Sequence, residues 1–186
     1  GTLAPALVPV GNRYVFAAGR TLTFTSTDVT KTYGDDASAL LATAWSVSGF
    51  NSNTYGGAIL ADGAASTFSG TPLLNSPGAS MTAQVAGAPY GIGISTGSLS
   101  ALTGYSLAFD SAGLLYVDPR AANVIANNGT KVYGDVDPVL TFTTTGFVNG
   151  DTPGGALSRV AGEAVAGSPY AILQGTLAKP NYTITY

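Results

Sequence analysis

The sequence has no histidine and no cysteine. Without imidazole, no side chain titrates near neutral pH at its ordinary pKa. Without thiols there are no disulfides, no thiolate nucleophiles and none of the usual His/Cys zinc sites. Most catalytic machinery is thereby excluded, and the expectation is a non-enzymatic protein with no cofactor. Charge is also scarce: only 9% of the 186 residues are charged, against roughly 25% in an average soluble domain. Seven Lys and Arg against ten Asp and Glu leave a formal net charge of −3. That balance is too sparse, and of the wrong sign, to grip a phosphate backbone, so nucleic acid is not an expected partner. No apolar run approaches the roughly 18 residues of a membrane span, and no basic segment leads into an apolar stretch. Membrane insertion of this stretch is not expected. The chain opens on Gly and reads as a piece of something longer.

What is present is 45% hydrophobic, with 25 Gly and 10 Pro, so surface polarity falls to Ser, Thr, Asn and the backbone. Above all there is a repeat. KTYGD at 31–35 returns as KVYGD at 131–135; SGF at 48–50 returns as TGF at 145–147; GAPY at 87–90 as GSPY at 167–170; and GSL at 97–99 as GTL at 175–177. Tyr105 falls opposite Tyr182. Order is kept while the spacing shrinks, so the first copy carries extra residues, expected at about 58–86. Two modules follow, 20–118 and 119–186, meeting where Pro119 ends one strand before another begins. Residues 1–19 read as the remnant of a preceding repeat or a linker, because GNRYVF loosely echoes the closing KPNYTITY. The first module ends in YSLAFDSAGLLYV; the second lacks a counterpart to its final strand, as though both ends were cut from a tandem array.

Strict alternation marks the strands. Leu140 and Phe142, Tyr105, Leu107 and Phe109, and Tyr182, Ile184 and Tyr186 each fall on one face, with Thr frequent on the other. Threonine is β-branched and suits a wet strand face. Asn-Gly and Gly-Asp pairs supply the turns. Only ASALLATAW at 37–45 is rich in helix formers. The expected class is all-β with at most a short helix per module.

The second copy carries TKVYGD followed by DP, a GFVNGD turn, LSRVAGE, QGTL and a final NYTITY. Together these resemble the MBG and YDG type repeats of very large bacterial surface adhesins, the filamentous-haemagglutinin-like exported proteins. The first copy shares TKTYGD and the Tyr90 and Tyr105 strands but lacks the NGD turn, the LSRVAGE segment and the NYT ending. The resemblance implies small β-rich modules, β-grasp-like or β-sandwich-like, strung in tandem, secreted or at the bacterial cell surface or outer membrane, serving adhesion or biofilm formation. It implies a stalk or spacer, monomeric within a longer array. The alternative is a binding module for extracellular polysaccharide, or for a cell-surface or host glycan or protein, with its site in the first-module insertion.

Candidate chemistry is thin. GISTG at 93–97 fits a nucleophile elbow around Ser95, but a serine needs a base and no His exists. Asp135, Asp137 and Asp151 invite a calcium reading, against the commoner use of Asp to cap turns. Glu163 is the single glutamate and is expected to play a structural part, pairing with Arg159 or holding a turn. Tyr55 and Phe68, in the unmatched stretch, are the candidates for stacking on a sugar. In the repeated pentapeptide, Lys31 and Lys131 are expected to stay exposed. Tyr33 and Tyr133 would anchor on the core, Gly34 and Gly134 would permit the turn, and Asp35 and Asp135 would cap it.

Overall fold

The computed structural model describes residues 20–50, 62–102 and 104–186, together with the backbone of two short strands at 54–55 and 58–59. The chain is all-β: short strands make several small sheets, and the α-helices Ser38–Leu41 and Ala64–Thr67 are single turns. The helix-forming stretch at 37–45 yields only the first of these before Trp45 opens a strand. No described helix is long and apolar enough to cross a membrane. The proposed remnant at 1–19 lies outside the described residues. The described residues divide into two compact units, one drawn from 20–29, 37–79 and 89–116, the other from 30–36, 80–88 and 117–186.

In the first unit the strand Arg20–Ser26 is central. Its alternation turns Leu22, Phe24 and Ser26 inward and leaves the threonines between them half-exposed or exposed. Tyr105–Asp110 pairs with it in parallel, from Arg20↔Tyr105 to Thr25↔Asp110, and Trp45–Ser48 pairs antiparallel on the other edge. Phe24 meets Phe68 edge-on at 5.0 Å and lies 5.7 Å from Trp45. Leu22, Ile94, Leu99 and Tyr105 complete that core. Ser26, buried among them, is satisfied: its hydroxyl donates to the Ile92 carbonyl (3.0 Å) and accepts the Gly113 N–H (2.9 Å), as a buried polar group requires.

The second unit repeats the plan. Arg120–Ala126 is central, parallel to Tyr182–Thr185 from Arg120↔Tyr182 and antiparallel to Phe142–Thr145 from Asn123↔Thr145. The first copy has Arg20↔Tyr105 and Thr23↔Ser48 at the matching places. Register is therefore the same in both, as expected when one buried face fixes it; here that face carries Ala122 and Val124. The glycine of each SGF or TGF motif ends the antiparallel pair at positive φ, 96° at Gly49 and 85° at Gly146. A Cβ on Gly146 would stand 2.7 Å from the Ala121 carbonyl oxygen, so glycine is needed for conformation and for room.

Further pieces recur. Leu73–Asn75 paired with Gly93–Ser95 returns as Ser158–Arg159 paired with Ile172–Leu173, and the 3₁₀ turn Val85–Gly87 returns as Val165–Gly167. Ser98 Oγ takes the Thr71 N–H (3.0 Å) as Thr176 Oγ1 takes the Ala156 N–H (3.1 Å). Much of the stretch expected to be extra is thus shared framework, and the added length of the first copy concentrates between Phe50 and Gly70.

Phe24→Ala, which empties the centre of the first core, is expected to cost about 3–5 kcal/mol. Thr25→Ala, on the opposite face, should cost less than about 0.5 kcal/mol. Denaturant unfolding of the two variants checks this.

Candidate functional site

The first Lys-x-Tyr-Gly-Asp loop belongs to the second unit. Gly34 adopts φ 91° and the Asp35 N–H returns to the Thr32 carbonyl (3.1 Å), closing a tight turn. The turn presents Tyr33, which is 3% exposed, edge-on to Tyr182 with ring centres 5.4 Å apart. Both hydroxyls donate to one oxygen, Asp151 Oδ2, each at 2.9 Å, while Lys179 Nζ holds Oδ1 at 3.0 Å. Asp151 is aimed there by its own turn: Asn149 and Gly150 take positive φ, and the Asp151 N–H bonds the Val148 carbonyl (2.9 Å). The Lys179 ammonium, followed by the two tyrosine hydroxyls, pulls the Asp151 carboxyl below its usual pKa despite burial, and burial pushes the Tyr182 phenol up.

Arg120 locks the loop from the other side. Its Nε donates to the Tyr33 carbonyl (2.6 Å) and its guanidinium pairs with the Asp35 carboxylate. Lys31, expected at the surface, is instead 5% exposed, with its ammonium donating to the Asp35 (2.9 Å) and Ser80 carbonyls. Burial lowers its pKa, opposed by Asp36 and Asp35. The loop has closed over its lysine, and backbone carbonyls replace the water it gave up.

The second copy builds the same turn, with Gly134 at φ 92° and the Asp135 N–H on the Val132 carbonyl (3.2 Å). Here the tyrosine does not anchor. Tyr133 is 69% exposed, beside Val132, Val136 and Val139, which are also exposed. The expectation that it packs on the core fails because, among the described residues, nothing corresponding to Asp151 and Tyr182 reaches it. Lys131 instead joins a quartet: it pairs with Asp137 (2.8 Å) and Glu163 (2.6 Å), and Arg159 pairs with the same two acids (2.7 and 2.5 Å). Arg159, then Lys131, holds Asp137 down to about 2; Lys131, then Arg159, lowers Glu163; both cations are raised in return. The quartet borders a groove of about 800 Å³, flanked by Asn128–Lys131 on one side and Ser168–Ile172 on the other.

Residues 122–186 match the MBG domain, YGX type. The second copy is therefore similar to an MBG-type module, over about a third of the chain. The first copy is tied to it by the repeated motifs and shared registers. No curated protein and no solved structure matches the chain.

The other candidate residues are placed as follows. Asp135, Asp137 and Asp151 do not converge: Asp137 is spent on Lys131 and Arg159, and Asp151 on Lys179 and two tyrosines. No cluster of three or more potential metal-ligating His, Cys, Asp or Glu exists among the described residues. Phe68 is not a stacking platform, since it is 8% exposed and serves the first core. Tyr55 lies in the strand Thr54–Tyr55, and its side chain is outside the described residues. Ser95 sits on the strand Gly93–Ser95 and donates to the Leu73 carbonyl (3.2 Å), with no imidazole in the chain to activate it. Sequence reasoning missed the acceptor role of Asp151, although the Asn-Gly-Asp turn that aims it was visible.

Tyr33→Ala should cost about 3–5 kcal/mol, and Tyr133→Ala less than about 0.5 kcal/mol, by thermal or denaturant unfolding. Asp151 has a lowered folded pKa, so its contribution is full above the ordinary carboxylate pKa of about 4 and is lost as pH falls through the folded value. The melting temperature should therefore drop below about pH 4, more steeply for the native chain than for Asp151→Asn.

Proposed function

We propose that the chain is a non-enzymatic structural segment, a stretch of spacer repeats, of an adhesin-like surface protein. MBG domains are found in adhesin-like surface proteins. The observation that carries the reading is the use made of the repeated pentapeptide: in its first copy every polar group of the motif is spent on structure. The Tyr33 hydroxyl is given to Asp151, the Lys31 ammonium to carbonyls, and the Asp35 carboxylate to Arg120. A binding or catalytic loop would keep such groups free to meet a ligand. The scarcity of charge and the absence of His and Cys point the same way, as does repetition itself, since stacked modules extend a chain at constant cost. The rival reading, a glycan- or protein-binding site in the first-copy insertion, has lost Phe68 to the core.

On an array of bacterial and host glycans the chain should give no signal above background. In the parent protein, deletion of both repeats should shorten the reach of the adhesive end without abolishing its binding when presented on beads. Saturable glycan binding by the isolated chain would overturn the spacer reading.

A further inference from the structure

The two arginines that open the central strands share a register but not a use. Arg120, opposite Tyr182, donates to the Tyr33 carbonyl (2.6 Å) and pairs with the Asp35 carboxylate. Arg20 stands opposite Tyr105 in the first unit. It is half-buried, and its guanidinium has no hydrogen bond or ion pair among the described residues. A guanidinium presents its donors in a rigid planar fork that suits carboxylates. Arg20 thus holds that fork at the position where its counterpart holds a loop.

The acceptor beside the arginine is also repeated. In the second unit the Tyr182 hydroxyl donates to Asp151 Oδ2, which accepts Tyr33 as well. In the first unit the Tyr105 hydroxyl donates to Asp62 Oδ2 (2.6 Å). The first copy lacks the Asn-Gly-Asp turn that aims Asp151, and Asp62 comes instead from its added length between Phe50 and Gly70. A carboxylate can accept about four hydrogen bonds. Among the described residues Asp62, half-buried, takes one hydroxyl and no cation, where Asp151 takes two hydroxyls and Lys179. The residue ahead of each tyrosine matches too, with φ 81° at Gly104 and 72° at Asn181. One part does not recur. The Asn181 side chain accepts the Val85 N–H (2.9 Å) and donates to the Gln84 side chain (2.6 Å), and Gly104 has no side chain to do either.

We infer that Arg20, Asp62 and Tyr105 form a receiving site for the Lys-x-Tyr-Gly-Asp loop of another repeat module. The occupant is identified by what the matching residues hold in the second unit. Its tyrosine hydroxyl donates to Asp62 beside that of Tyr105, and its tyrosine carbonyl and aspartate carboxylate take the Arg20 guanidinium. Hydrogen bonds with one ionised partner are the stronger kind, and this site offers one such partner of each sign. A loop with Phe for the tyrosine and Asn for the aspartate lacks both matching groups and does not fit. The inference goes beyond the spacer reading: glycan binding by the chain would sink that reading and leave this site untouched.

The test uses the whole chain, isotope-labelled for NMR, and a cyclised peptide VTKTYGDD, the sequence of 29–36. Saturable shifts are expected at the Arg20 side-chain N–H and the Tyr105 backbone N–H, with one peptide bound per chain. Arg20→Gln should weaken binding at least about tenfold through loss of charge-assisted bonds. It should leave the melting temperature unchanged, because that guanidinium has no bond to lose. Peptides carrying Tyr33→Phe or Asp35→Asn should each bind at least about threefold more weakly. No saturable binding at millimolar peptide, equal binding by the Arg20→Gln chain, or shifts confined to the surroundings of Asp151 would each overturn the inference. So would an Arg20 side chain already held by residues 1–19 in the peptide-free chain.

Discussion

One carboxylate organises the surroundings of the first Lys-x-Tyr-Gly-Asp loop. Asp151 is met by two tyrosine hydroxyls on one oxygen and an ammonium on the other, and the residues that reach it come from sites far apart in sequence. Hydrogen bonds to an ionised acceptor are worth roughly 1.5–3 kcal/mol each, against about 1 for neutral ones, so this point concentrates much of the polar stabilisation available to a chain with so few charges. It also fixes direction. A tyrosine that must both stack on Tyr182 and donate to Asp151 has little rotational freedom, and its loop is pinned with it by Arg120. Removing the carboxylate would strand the buried Tyr33 hydroxyl, whereas that of Tyr182 keeps the Val148 carbonyl at 3.2 Å.

The same pentapeptide therefore has two fates. At Tyr33 it is buried; at Tyr133 it is exposed, although the turn beneath is the same, with φ 91° and 92° at the two glycines. Local sequence specifies the turn, and tertiary partners specify burial. In a repeat fold this separation is expected, because each unit's local geometry is autonomous while its surface is completed by neighbours.

Much of the fold was readable from the residues. Alternation through Phe142, Tyr105–Phe109 and Tyr182–Tyr186 placed strands, and Tyr105 and Tyr182, matched by sequence, hold matching places in the sheets, each opposite the arginine that opens its central strand. What could not be read was contact over long separations. Lys31 looks like a surface lysine because nothing near it announces the carbonyls that wrap its ammonium. Phe68 looks available because its neighbours are small and Gly-rich, yet it packs edge-on against Phe24 in the first core. The acids at 135, 137 and 151 looked like a possible cation site because their spacing was visible and the cations already facing two of them were not.

The ion quartet has a consequence for how the module survives in crowded surroundings. Two of the chain's seven cations and two of its ten acids gather along one border of the bare segment at 129–132. An unpaired strand edge is a template for indiscriminate sheet growth, and natural proteins blunt such edges with charged side chains. Here a chain with few charges sets four of them beside a segment whose N–H groups bond no other described backbone. A neighbouring protein that approaches this border meets four fixed charges, a filter against the flat apolar segments from which aggregates grow.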